Sequence, residues 1–157
     1  MILTDRKGHH VAQYIEETIF EAPRTTVYEL FADREGYNEF LPFTVKLVRP
    51  GTTERQGVGA IHRIGVGPVG VKEEILELVA GERIQYRVVG GLPVRSHIGT
   101  ITLTDHPQGT AVRYSMESTP LIPVPDTAMV WVLRKSMSSL VDGARREAAR
   151  RGAAGKA

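Results

Sequence analysis

The sequence predicts an α+β fold in which a strongly curved antiparallel sheet wraps around one long C-terminal helix. The order of elements is the first observation that predicts it. One strand-like segment and two short helical segments come first, about six strand-like segments follow, and an amphipathic helix comes last. Glycines inside the strand-like runs are the second observation, because they permit bulges and sharp coiling. A bent sheet closed by a single helix encloses space as well as a core, so this order indicates a container for a small ligand.

The composition is that of an ordinary globular domain. The 157 residues are 41% hydrophobic and 24% charged, which is enough apolar surface for one domain to fold alone. No apolar run approaches the roughly 20 residues that span a bilayer, and the first ten residues lack the apolar core of a signal peptide. The absence of cysteine excludes disulfides and zinc–thiolate sites. We therefore predict a single cytoplasmic domain over residues 11–151, between a flexible N-terminus (1–10) and a flexible tail (152–157).

The first part of the chain predicts a strand followed by two short helices. Residues 11–21 are rich in β-branched and aromatic side chains, as strands are. Pro23 is suited to the first turn of a helix, and Val27, Leu30 and Phe31 would share one face of it. The remaining predicted elements are a short helix over 37–41 and strands over 43–48, 57–66, 69–80, 82–90, 94–105 and 110–118.

The last segment predicts a long amphipathic helix. Asp126 is the expected N-cap after a proline-rich loop over residues 120–125, and the helix should end near Arg150. At 100° per residue, six apolar side chains form one stripe that should face the sheet. Trp131 lies outside the stripe and should pack under the proline loop, the alternative being a contact with a second subunit in a homodimer. The stripe consists of Met129, Leu133, Met137, Leu140, Val141 and Ala144.

The net charge is +2 with an isoelectric point near 9.0, and the excess positive charge lies near the C-terminus. Cations there complement the negative end of the helix dipole. The alternative is a patch that binds nucleic acid or an anionic membrane. No aromatic residues interleave these cations for base stacking, so we favour the first interpretation and predict no nucleic-acid partner. The residues concerned are Arg145, Arg146, Arg150, Arg151 and Lys156.

Residues 65–70, Gly-Val-Gly-Pro-Val-Gly, match the dinucleotide-binding fingerprint. A Rossmann unit also needs a helix after the glycines and a second strand that ends in an acid for the ribose. The next strand candidate, residues 84–89, ends in Gly90 and Gly91, and further strands follow where βαβ units would be required. We therefore interpret the segment as a glycine-rich hairpin turn and predict no nucleotide cofactor.

Polar residues in the predicted strands are the candidates for a site. No two of the five histidines have metal-ligand spacing within a helix, so no metal is predicted. His62 and His97 lie on strands and would face either the interior or solvent. Glu73 and Glu74 are adjacent, so a strand sends them to opposite faces, unless they form a strand-edge ion pair that faces water. An unpaired buried carboxylate costs several kcal/mol, so an inward one needs a partner. The candidate partners are His62, Arg63 and Arg95.

Several short segments of the chain together carry a resemblance to a known protein family. Near the N-terminus they are Phe20-Glu21-Ala22-Pro23, Val27-Tyr28 and residues 37–42. Further along they are Gly57-Val58-Gly59-Ala60, residues 82–89, Pro93-Val94-Arg95, residues 99–104 and Gly109-Thr110. With these segments the chain, over about residues 11–150, resembles the START-like (helix-grip, SRPBCC-type) superfamily, and more specifically its polyketide cyclase/dehydrase and lipid transport branch.

The resemblance implies a helix-grip fold, with a seven-stranded antiparallel sheet around the C-terminal helix and two small helices between the first two strands. It also implies binding, storage or transport of a lipid, sterol or polyketide between sheet and helix. The alternative is a polyketide cyclase or dehydratase, with His97 or His62 as general base and Arg95 or Tyr114 stabilising an enolate. Residues 40–43 and 120–125 should border the mouth. The expected cavity residues are His62, Glu73 (or Glu74), Tyr86, Val88, His97, Ile101, Val112, Tyr114, Met116, Met129, Leu133 and Met137.

Overall fold

A computed structural model describes residues 2–4 and 6–155 of the chain. Within these residues it contains eight strands, a short α-helix, a 3₁₀ helix and a long C-terminal α-helix. In chain order the elements are β1 (Ile2–Thr4), β2 (His10–Phe20), α1 (Arg24–Ala32), the 3₁₀ helix (Glu35–Glu39), β3 (Thr44–Arg49), β4 (Ile61–Val66), β5 (Val69–Val79), β6 (Arg83–Gly90), β7 (Val94–His106), β8 (Gly109–Pro120) and α2 (Asp126–Ala154).

One antiparallel sheet contains the described strands in the order β1-β2-β8-β7-β6-β5-β4-β3. Consecutive strands from β3 to β8 are neighbours, whereas β2 pairs with β8, because α1 and the 3₁₀ helix carry the chain to the opposite edge. The seven predicted strands and the two short helices are confirmed. β1 is an additional strand that pairs with the start of β2. It lies in the segment expected to be flexible, an expectation that stays a prediction.

The segment that matches the dinucleotide fingerprint forms the β4–β5 hairpin, as predicted. Val66 pairs with Val69 across a two-residue loop. Gly67 in this loop has a φ of 55°, a conformation that glycine adopts without strain. β4 itself begins at Ile61 instead of near residue 57, because Gly59 turns the chain with a φ of 86° before the strand starts.

The boundaries of α2 differ from the expectation at both ends. Asp126 is its first helical residue, so Pro125 takes the N-cap position and no side chain caps the helix. The prediction of Asp126 as N-cap is wrong by one residue, because the extended backbone of the proline loop continues through Pro125. The helix runs on to Ala154. Lys156, at the end of the predicted flexible tail, lies outside the described residues.

α2 packs its predicted apolar stripe against the sheet. Leu133, Met137, Val141 and Ala144 are at most 4% exposed, and Met129 and Leu140 pack against the same core. Trp131 is 60% exposed, so the expectation that it packs under the proline loop is wrong. It projects from the far side of the helix, because it is two positions from Leu133, which corresponds to a rotation of about 200° at 100° per residue. Among the described residues, no helix combines the length and apolar character that crossing a membrane requires.

The C-terminal half of α2 approaches the rest of the protein more closely than its N-terminal half. A side chain at Gly143 would collide with Leu41, and one at Gly152 would come within 2.7 Å of the Glu21 carbonyl oxygen. Ala148, between them, is completely buried. Small residues therefore let this half of the helix pack closely against residues near the N-terminus. The cavities that reach the concave face of the sheet lie near the N-terminal half of the helix.

Candidate functional site

Two adjoining cavities lie between the sheet and the N-terminal half of α2. The outer cavity, bounded by Val88, Pro93, His97, Ile122, Met129 and Leu133, has a volume of about 370 Å³. The inner cavity, bounded by Arg34, Tyr37, Phe43, Tyr86, Tyr114 and Leu140, has a volume of about 320 Å³. Val71, Glu73, Met116 and Ser136 line both. The two cavities therefore lie side by side and together follow the concave face of the sheet.

The outer cavity has a mostly apolar wall and opens to the surface. Its polar lining side chains are Glu73, His97, Ser118 and Ser136. At its rim, the side chains of Leu92, Ile122 and Val132 are between 44% and 60% exposed. The proline loop supplies part of the wall, as expected for a mouth, and Phe43 from the other expected mouth segment lines the inner cavity.

Arg34 is the central polar residue of the inner cavity. It follows α1, where its carbonyl accepts the Tyr37 amide at 3.1 Å, and it is only 2% exposed. Its Nη1 forms an ion pair with Glu73 Oε2, and its guanidinium carbon lies 4.4 Å from the centroid of the Tyr86 ring. Burial alone would lower the Arg34 pKa, but Glu73 and the neighbouring tyrosines outweigh it, so the pKa is raised and the charge is retained.

Tyr86 and Tyr114 form a hydrogen-bonded pair beside this ion pair. Their hydroxyl oxygens contact each other, and their rings meet edge to face with centroids 6.4 Å apart. Burial raises the pKa of both phenols, so both stay protonated near neutral pH. Gly99 stands opposite Tyr86 in the β6–β7 ladder, and the Tyr86 ring occupies the place of the missing side chain.

His62 lies behind the inner cavity. It stands opposite Glu73 in the β4–β5 ladder and is completely buried. Its Nε2 is 3.1 Å from Gln56 Oε1, which also accepts the Glu35 amide, so Nε2 of the histidine carries the hydrogen and donates it. Burial, reinforced by the charge of Arg34, lowers the His62 pKa to about 4. The ring is therefore neutral at physiological pH.

His97 is the histidine that faces the outer cavity. It is 7% exposed, and its ring centroid is 6.4 Å from that of Tyr86. Burial lowers its pKa, although Glu73 acts in the opposite direction. Among the described residues, its Nδ1 has no hydrogen-bond partner. The outer cavity is thus lined by a neutral imidazole whose buried Nδ1 has no partner in the described part of the chain.

Two-thirds of the expected cavity residues line at least one of the two cavities. Those eight are Glu73, Tyr86, Val88, His97, Tyr114, Met116, Met129 and Leu133. His62, Ile101, Val112 and Met137 line neither cavity. The last three are at most 2% exposed and belong to the closed core with Phe20 and Phe31, where the helix sits close to the sheet.

The partner of the inward carboxylate is not among the expected ones. Glu74 does face away from Glu73, and it pairs on the outer face with Arg49 and Arg87. Arg63 instead donates to the Gly67 carbonyl, and Arg95 is exposed on the other side of the proline loop. Arg34, which pairs with Glu73, was not a sequence candidate. Its local sequence, Asp33-Arg34-Glu35-Gly36, is typical of a solvated turn and carries no signal of burial.

Comparison with known proteins identifies both a family model and structural neighbours. The model described as polyketide cyclase/dehydrase and lipid transport matches residues 12–151. An aromatase/cyclase from Streptomyces sp. R1128 superposes with a TM-score of 0.74 at 18% identity, covering 90% of this chain and 96% of its own. A START superfamily protein from Mycobacterium smegmatis gives 0.72 at 13% identity, with 91% and 99% covered.

A Chromobacterium violaceum protein gives a TM-score of 0.64 at 22% identity, covering 88% of this chain and 97% of its own. At such identities these likenesses establish the fold. No curated protein matches the sequence.

Proposed function

Because this chain belongs to the polyketide cyclase/dehydrase and lipid transport family, we propose that it binds a hydrophobic small molecule in the outer and inner cavities, for storage or transport. The observation that carries this proposal is the mostly apolar outer cavity of about 370 Å³, which opens beside the proline loop. Pockets of this size and character bury most of the surface of a small ligand.

The size of the cavity sets the expected affinity. Burying about 300 Å² of apolar ligand surface at about 25 cal/mol per Å² gives about 7 kcal/mol before the entropic costs of binding are subtracted. We therefore expect dissociation constants in the micromolar range or weaker, with limited selectivity among apolar ligands of similar size.

The proposal is tested with N-phenyl-1-naphthylamine, a neutral dye that fluoresces in apolar surroundings. Ala128 lines the outer cavity in the first turn of α2, so Ala128→Phe should fill the cavity and weaken dye binding at least tenfold. Ala153→Phe is the matched control, because it makes the same substitution at an exposed position in the last turn of the same helix. Mass spectrometry of organic extracts from the purified protein would then identify a bound ligand.

Two results would contradict the proposal. The first is the absence of saturable dye uptake by the wild-type protein together with extracts that contain no ligand. The second is dye binding that Ala128→Phe and Ala153→Phe weaken equally, because the dye would then occupy some other surface.

His97 favours a second candidate function, a cyclase or dehydratase of poly-β-ketone substrates. His97 lines the outer cavity as a neutral imidazole, and an imidazole in such a place is suited to remove an acidic proton between two carbonyl groups. Deuterium incorporation at the methylene of a naphthyl 1,3-diketone, followed by NMR, measures this step. If the protein is an enzyme, the wild type should catalyse this exchange and His97→Ala should abolish it. If it is a carrier, the wild type should catalyse no exchange, and His97→Ala should change only the binding affinity, by a few fold.

A further inference from the structure

The tyrosine pair has more hydroxyl hydrogens than it uses. Tyr86 and Tyr114 each carry one, and the contact between their oxygens consumes one of the two. Neither hydroxyl makes a second hydrogen bond to any described residue. One O–H donor therefore remains on this pair, whose two residues line the inner cavity and are at most 1% exposed. A buried donor without an acceptor is costly, so an acceptor supplied by a ligand would be favourable.

Arg34 provides a second unused donor in the same place. Its Nη1 is engaged by Glu73, but its Nε is buried and has no hydrogen-bond partner among the described residues. The arginine lines the inner cavity with both tyrosines and lies over the Tyr86 ring. Arg34 and the tyrosine pair, each with an unused donor, thus line the same cavity.

The charges around this space cancel. The guanidinium of Arg34 is matched by the Glu73 carboxylate, and Glu73 itself lines both cavities. Other nearby groups that could add charge are neutral: His62 has a lowered pKa of about 4, burial raises the pKa of Tyr37 to about 12, and burial lowers the pKa of His97. An anionic ligand group would meet the Glu73 carboxylate and carry an unmatched charge into a buried site, which is unfavourable.

We propose that the inner cavity recognises a neutral oxygen acceptor, such as a ketone or ester carbonyl, at one end of a ligand whose apolar body fills the outer cavity. This inference rests on the proposed ligand-binding function and specifies the ligand class. It predicts that the site prefers a ketone over an oxygen-free molecule of the same shape, and also over a carboxylate.

Three naphthalene probes of similar size test this preference by displacement of N-phenyl-1-naphthylamine at pH 7. They are 2-acetylnaphthalene, its oxygen-free isostere 2-isopropenylnaphthalene, and 2-naphthoate. We expect the ketone to bind about tenfold more tightly than the isostere, equivalent to about 1.4 kcal/mol. We expect 2-naphthoate to bind more weakly than the ketone, although it carries two acceptor oxygens.

Variants then assign the preference to the tyrosine pair. Tyr86→Phe combined with Tyr114→Phe removes the free donor and should reduce the ketone preference to less than about threefold. Tyr37→Phe is the matched control, because Tyr37 lines the same cavity but its hydroxyl already donates to the Phe31 carbonyl at 3.0 Å. Circular dichroism melting verifies that each variant is folded.

The outcomes separate this inference from the function on which it rests. Equal binding of the ketone and the isostere, or tighter binding of 2-naphthoate, overturns the inference while ligand binding stands. A ketone preference that survives the double substitution also overturns it. If none of the three probes displaces the dye and the dye itself does not bind, the proposed function fails together with the inference.

Discussion

The most direct test of the inner cavity is a single methyl group at Gly99. A Cβ at this position would lie closer than 3.0 Å to two ring carbons and the hydroxyl oxygen of Tyr86, a distance that real Cβ atoms almost never show. The ring cannot yield freely, because Tyr86 is 1% exposed, the Arg34 guanidinium covers it and Tyr114 holds its hydroxyl. Gly99→Ala must therefore displace the ring and disturb the tyrosine pair.

The magnitude follows from two opposing effects. Forcing one extra carbon into a packed interior costs about 1–3 kcal/mol. Replacing glycine by alanine in a compatible backbone returns about 0.4–1 kcal/mol by restricting the unfolded chain. We expect Gly99→Ala to lower the free energy of unfolding by about 1–2 kcal/mol, or Tm by about 3–6 °C for a chain of this length.

Urea unfolding and thermal melting measure the effect against a matched control. Gly90→Ala places a methyl group at ordinary contact distances of 3.7 and 3.9 Å from Lys72, so it should be neutral or slightly stabilising. In a Tyr86→Leu background the ring is gone, and the cost of Gly99→Ala should disappear. If Gly99→Ala is as harmless as Gly90→Ala, or costs the same without the ring, the packing described for Tyr86 is incorrect.

Two further predictions concern the charges around the cavities. His62 has a pKa of about 4 in the fold and an ordinary value of 6.5 in the unfolded chain, so the unfolded chain binds the proton more readily. The neutral His62 therefore contributes about 3 kcal/mol to the free energy of unfolding. This contribution is complete above pH 6.5 and is lost as the pH falls towards 4. Urea unfolding at several pH values should show this fall in the free energy of unfolding. His62→Gln should flatten the dependence on pH, whereas the control His10→Gln should leave it unchanged. An equal dependence in all three proteins would refute the prediction. Arg34→Met should destabilise by about 3–5 kcal/mol because it leaves Glu73 buried without its cation. Adding Glu73→Leu should restore most of the loss, and additive costs in this double-mutant cycle would contradict a coupled pair.

The sheet could be predicted from the sequence because its inward and outward residues alternate. In β8 the buried Val112, Tyr114 and Met116 alternate with Arg113 and other polar residues, and a shift of one residue would bury the charges. The apolar stripe of α2 was predictable for the same reason, at the helical period. These local patterns determine which face of each element is buried.

The composition of the site was less predictable, because it depends on distances between elements. The ion pair of Arg34 and Glu73 joins residues 39 positions apart, and neither has a local sequence that requires the other. Which part of the α2 stripe borders a cavity is decided by Gly143 and Gly152, which bring one half of the helix close to its neighbours. Leu133 and Met137 belong to the same apolar stripe of α2, so the helical period does not distinguish them. Leu133 nevertheless lines the outer cavity, whereas Met137 lies in the closed core.

For a ligand that binds as proposed, the uneven packing along α2 has a consequence for entry. The half that contains Gly143 and Gly152 acts as a fixed anchor, because close backbone contacts hold it in place. The opposite end starts behind the prolines at 120, 123 and 125, where the rim is formed by exposed side chains. Small outward movements of the first turns of α2 would widen the opening of the outer cavity without breaking any hydrogen bond between strands. Loading and release would thus leave the β-framework intact.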